Sequence, residues 1–212
     1  MTVTKIEVQK NNREKVNVYI DGKYSFSLTM NGFVGSGLKE WVDIDEEEIK
    51  NLKSSDSPSL AVLSAIDIVS HSMKTEKELR KRLKDKGFLD EAAGYAIDKM
   101  KEYGYVDDDF YVSSYITSKA IPNGWGEQKI TYELIKKGIE KDKIREKLEE
   151  LYPDDIKINI AVEAAEKYAV RLKGMEPKKA RQKIYQHLIA KGFSFDEAKE
   201  ACIKTMEGDC WE

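Results

Sequence analysis

Along the first 30 residues apolar and polar side chains alternate, and beyond residue 58 the apolar ones recur every three or four positions. Lys5-Ile6-Glu7-Val8-Gln9, Val16-Asn17-Val18-Tyr19-Ile20 and Tyr24-Ser25-Phe26-Ser27-Leu28 have the period of two that places one apolar face on a half-buried strand. Asp21-Gly22 between the last two runs predicts a tight hairpin turn, and Asn11-Asn12-Arg13 separates the first two. The pattern predicts a small antiparallel meander, with Leu38 to Ile44 adding one short strand and a helix starting at Asp45 to Ile49. Three short strands hold poorly alone, so the meander needs a helix to pack on. Ser54-Ser55-Asp56-Ser57-Pro58 is polar and ends in proline, and it reads as a linker that would leave residues 1–53 a separable β-rich module.

After residue 58 one stretch organises the chain. Leu79, Leu83, Gly87 and Phe88 return as Ile130, Leu134, Gly138 and Ile139, and again as Ile184, Leu188, Gly192 and Phe193. Apolar residues at i and i+4 share a helix face, and the glycine marks where each helix ends in a left-handed residue. Thr75-x-x-Glu78 and Ser194-x-x-Glu197 are capping boxes that open a helix. A second helix follows each glycine, with Ala93 and Ile97, Ile144 and Leu148, and Ala198 and Cys202 on its apolar face. Helices are expected over 59–72, 75–86 and 90–103, from Asp107 to the break at Pro122-Asn123-Gly124, over 126–137 and 141–151, and from beyond Pro153 through Ile160 and Leu172 to the last pair. That makes nine helices in three tandem three-helix repeats, at 58–106, 107–153 and 154–207. The fold class is mainly α: an elongated array, open to curvature, behind a small N-terminal antiparallel β-module.

Charge changes the picture locally. Net charge is −3, which excludes a uniformly basic nucleic-acid binder, but residues 74–86 hold seven Lys/Arg against three acids and residues 173–191 six against one. The apolar runs are too short to span a bilayer, and Met1-Thr2-Val3-Thr4-Lys5 has no signal-peptide core, so a cytoplasmic protein is expected. Cys202 falls on an apolar helix position and reads as packing; Cys210 is a tail residue. His71 and His187 sit in no ligand pattern, and His187 reads as structural or surface. Gly35-Ser36-Gly37 is too short for a phosphate loop, and Asp107-Asp108-Asp109 reads as a helix start rather than a metal site. No enzyme, cofactor or metal is expected. Tyr103, Tyr105, Phe110, Tyr111, Tyr115, Trp125 and Tyr132 concentrate around repeat two, as core residues or as hot spots for a partner.

Taken together, Thr75-x-x-Glu78-Leu79-x3-Leu83-x3-Gly87-Phe88, then Gly104-Tyr105-x-Asp107-Asp108-x-Phe110, then Gly124-Trp125-Gly126-x-x-Lys129-Ile130-x-x-Glu133-Leu134-x3-Gly138-Ile139 resemble the RecX regulators of bacterial RecA recombinase. The resemblance covers about residues 58–205, and the strand-rich start is similar to the extension of members from Gram-positive bacteria. Two positions depart from the family pattern: Ser72 stands where arginine is usual, and Tyr111 where alanine is usual. The resemblance implies tandem three-helix repeats without enzymatic activity that bind the RecA–single-stranded-DNA filament and inhibit its ATP hydrolysis and strand exchange. The partner expected is that filament, with single-stranded DNA as a further contact, no membrane, and a monomeric chain.

Opposite Leu79 and Leu83, a rotation of about 100° per residue puts Lys77, Lys81 and Lys84 on one face with Lys74 beside them. The equivalent face of repeat two holds Gln128, Tyr132 and Ile135, and that of repeat three Gln182, Gln186 and Ile189 with Lys179. The candidate contact residues are therefore Lys74, Lys77, Lys81 and Lys84, then Lys129, Tyr132 and Ile135, then Lys179, with Gly87, Gly138 and Gly192 as structural helix ends. The rival readings are a free-standing DNA binder of helix-turn-helix type and a protein scaffold. Against the first, no repeat carries a helix rich in Arg, Asn and Gln for reading bases.

Overall fold

In a computed structural model that describes residues 1–206, the alternating runs form β1 (Val3–Gln9), β2 (Asn12–Ile20) and β3 (Lys23–Thr29), an antiparallel sheet in the order β1-β2-β3. The β2–β3 turn needs two left-handed residues, and Asp21 (φ 49°) and Gly22 (φ 78°) supply them. Val18 sits between Ile6 and Phe26 in register, and Val16, Val18, Ile20, Phe26 and Leu28 all bury one face. Residues 38–44 run beside β1 without becoming a strand of the sheet. Val3 N–H donates to the Val42 carbonyl at 2.9 Å and Ile44 N–H to that of Met1 at 2.8 Å, but the pairing amounts to an isolated bridge, Thr2 with Asp43. The short helix α1 (Met30–Ser36) has no counterpart in the sequence pattern, because two of its seven residues are glycine.

The linker expected at 54–58 is instead the middle of a 26-residue helix, α2 (Glu46–His71). Asp45 and Glu48 close a capping box at its start. Tertiary contacts override the polar composition of residues 54–58. Asp56 is buried, and its carboxylate accepts from the Thr29 hydroxyl at 2.6 Å and from the Thr29 backbone N–H. On one side Ile49 and Leu52 pack on the sheet core; on the other Ala61, Ala65 and Ile68 join α3 (Glu76–Asp85) and α4 (Asp90–Glu102). Residues 1–53 therefore do not end at a linker: α2 belongs to both the sheet core and the first three-helix core.

The chain divides into two compact units, Met1–Val106 and Asp107 onward. In the second, α5 (Asp108–Tyr115) is capped by Asp107 and runs into a π-helical turn at Ile116–Ala120. Then come α6 (Glu127–Lys136), α7 (Lys141–Leu151), α8 (Asp154–Ala169) with a 3₁₀ turn at Val170–Leu172, α9 (Pro177–Ala190) and α10 (Phe195–Met206). Repeats two (α5–α7) and three (α8–α10) bury one shared core that includes Ile130, Leu134, Ile144, Ile184, Leu188 and Phe193. Cys202 is buried in it, whereas Cys210 lies outside the described residues.

Three helices end alike. Gly87, Gly138 and Gly192 have φ of 90°, 92° and 90°. In each case the glycine N–H and that of the next residue bond back to carbonyls three and five residues earlier, as in Gly87 to Lys84 and Phe88 to Leu83. This is the Schellman closure, which satisfies carbonyls the helix leaves open.

Candidate partner and nucleic-acid interface

On α3 the Thr75–Glu78 capping box fixes the start, and Leu79 and Leu83, both fully buried, fix the rotation. Lys77, Lys81 and Lys84 consequently face solvent. They are not equivalent. The Lys84 ammonium lies 2.7 Å from the Asp90 carboxylate, and Lys74 donates to the Ser72 carbonyl at 3.1 Å. Glu76 holds Arg80 at 2.9 Å and Lys101 at 2.6 Å, and these two cations keep its carboxyl below the usual range. Lys77 and Lys81 are exposed and, among the described residues, make no ion pair.

The remaining sequence candidates lie in the second unit. Ile130 and Leu134 bury one side of α6 and leave Tyr132 60% and Ile135 44% exposed, with the Lys136 ammonium 5.0 Å from the Tyr132 ring centroid. Lys129 is half-buried and sits 4.5 Å over the Trp125 ring, so packing holds it. Lys179 is exposed and lies 3.2 Å from Glu176. Of the aromatic residues singled out from the sequence, Tyr111 and Tyr115 are core and stack on one another, whereas Tyr103, Tyr105 and Phe110 are more than half exposed.

Sequence reasoning missed how repeats two and three join. The N-terminus of α6 has no side-chain cap; backbone carbonyls from the end of α9 take that place. Gly126 N–H donates to Lys191 at 2.9 Å and Gln128 N–H to Gly192 at 3.1 Å. A side chain on Gly126 would strike the Gly192 carbonyl and the Phe193 nitrogen, so the approach requires glycine. The Tyr152 hydroxyl donates to the Trp125 carbonyl at 2.7 Å, and burial, with Glu197 and Glu127 nearby, pushes that phenol well above its usual range. The signal available in the sequence was Gly126 beside Trp125, read there as part of a motif rather than as a contact. Next to this seam is a cleft of about 250 Å³ between the 121–124 loop, α8 and the end of α9.

The chain is similar to known proteins along almost its whole length. Four family models match in order: the regulatory protein RecX N-terminal domain over residues 1–45, and the first, second and third RecX three-helix domains over 61–100, 107–148 and 154–202. "Regulatory protein RecX" of Clostridium botulinum (strain Alaska E43 / Type E3) is 34% identical over 211 residues, 99% of each chain. That of Bacillus licheniformis is 34% identical over 203 residues, 96% of this chain and 77% of its own length. A crystal structure of regulatory protein RecX aligns with a TM-score of 0.66 at 27% identity, covering 93% of this chain and 97% of its own. A crystal structure of RecX from Lactobacillus salivarius gives 0.66 at 26% identity, covering 73% and 99%.

Proposed function

Because the chain belongs to the RecX family of regulatory proteins, we propose that it regulates homologous recombination by binding the RecA–single-stranded-DNA filament and slowing its ATP hydrolysis and strand exchange. The observation that carries the proposal is the match of all four RecX domain models, in order, from residue 1 to residue 202.

Two surfaces supply the contact. Lys77 and Lys81 on α3 present charge that attracts DNA phosphate or an acidic filament surface over about a Debye length, roughly 10 Å at 0.1 M salt. Tyr132 and Ile135 on α6 present apolar area that gains from burial against a specific partner. The mechanism is non-catalytic: a chain seated on the filament opposes the movements that hydrolysis and strand exchange require. It works as a monomer in the cytoplasm, where the filament forms.

The test is the affinity of the full chain for bare duplex, bare single strand and assembled RecA filament at matched salt, with ATP hydrolysis followed in parallel. Tightest binding to the filament and a falling hydrolysis rate are expected. Equal affinity for bare DNA and filament would make the protein a DNA binder instead.

A further inference from the structure

We propose that the cleft between the 121–124 loop, α8 and the end of α9 is a phosphate-binding site, taking the phosphate of a nucleotide or of a nucleic-acid strand. The inference needs only this chain and an anion, and so stands or falls apart from the filament reading. Lys167, Arg171, Lys191 and His187 line the cleft, against one carboxylate among the described residues, Glu163, which lies 3.2 Å from Lys167. The Lys191 ammonium donates to the Asn123 carbonyl at 2.6 Å. That bond fixes the charge at the rim and uses one of its three N–H groups. The rings of His187 and Tyr168 lie parallel, 4.1 Å apart and half-buried, and make one wall rigid.

Burial first, and repulsion between neighbouring cations second, disfavour the charged forms in this cluster. Burial and the neighbouring Lys129 and Lys167 lower the Lys191 ammonium; burial, Lys191, Arg171 and Lys129 lower His187. Cations gathered in a partly desolvated cleft with a single opposing carboxylate are what an anion relieves. Among the described residues, the charged and titratable groups about His187 are Glu163, Lys167 and Tyr168 on α8, Arg171 after it, Lys191 at the end of its own helix, and Lys129 on α6. The net field is positive. A bound dianion offsets most of that positive field at His187 and favours the imidazolium, so by linkage the anion binds more tightly as pH falls through the His187 titration.

The experiment follows the two histidine rings by NMR across pH, in the full chain, with sulfate as a stand-in for phosphate that does not titrate in this range. A nucleoside monophosphate and a short single-stranded oligonucleotide form the other arms. His187 is expected to titrate at higher pH with sulfate and with whichever phosphate source the cleft takes, while exposed His71 stays put. Lys167→Gln/Arg171→Gln, two exposed positions, should abolish the His187 shift. If the cleft takes a strand, that variant should also reduce the salt slope of oligonucleotide affinity by roughly one per cation removed. A shift with sulfate and nucleotide alone assigns the cleft to a small phosphorylated ligand; a shift with the oligonucleotide too assigns it to a strand. An unchanged His187 titration with every anion, in a folded parent protein, would overturn the proposal.

Discussion

Glycines that share one backbone conformation do not share one surrounding. Gly87 and Gly192 both stand at φ 90°, but a Cβ on Gly87 would meet open space, whereas one on Gly192 would lie 2.5 Å from Lys129 Cβ and the Lys129 nitrogen. Gly87→Ala should therefore cost only the left-handed strain, about 1–2 kcal/mol. Gly192→Ala should cost clearly more, because the start of α6 must also move. Chemical denaturation of the two variants checks this, and equal losses would show that α6 yields freely. The conformation they share was legible in the sequence: a glycine four residues after an apolar-face leucine, three times over, is a local signal. The steric part was not, since Lys129 lies 63 positions before Gly192 and nothing in either stretch announces the other. His187 likewise reads as structural or surface because, apart from nearby Lys191, the cations around it come from α6, α8 and the turn after α8.

Among the elements, α2 separates composition from context most clearly. Pro58 lies in its interior, so the Ser54 carbonyl has no N–H four residues on to accept from. Pro58→Ala restores that donor and should stabilise the protein by roughly 1–3 kcal/mol in thermal or chemical unfolding. A neutral result would be that of a linker. Residues 54–58 misled because serine, aspartate and proline mark loops by local propensity, and only the buried Asp56–Thr29 contact and the cores on either side show why they are helical. Helix α3 was legible in full, since its capping box, its two leucines and its glycine are all local. Its exposed charge gives a prediction at the same scale. Lys77→Glu/Lys81→Glu should weaken filament binding most at low salt, whereas Tyr132→Ala on α6 should weaken it with little salt dependence. Filament affinities at several salt concentrations, with circular dichroism confirming the fold, measure both. A charge-reversed chain that folds and binds like its parent at every salt would leave the α3 face merely solvated.

For the whole molecule, the β-strand and helical periodicities identified the ingredients, but the cores are shared differently from three equal repeats. Repeat one shares α2 with the sheet, and repeats two and three share one core. Dividing the chain between Val106 and Asp107 should yield two pieces that each keep helical circular dichroism and unfold cooperatively. Dividing it between Asp56 and Ser57 should leave the sheet fragment without the helix it packs on, and that fragment should lose its structure. Cooperative folding of a fragment ending at Asp56 would restore the separable module.

The backbone seam between α6 and the end of α9 also carries its own clock. The amide protons of Gly126 and Gln128 are donated across it, to Lys191 and Gly192, so they can trade with solvent deuterium only when the two backbones part. Should they exchange at the rate of the slowest amides in α8, the second and third repeats never separate without the whole C-terminal unit melting. Should they exchange faster, the difference measures how often the seam opens in the native protein, and a ligand that closes the adjoining cleft would slow those two amides first.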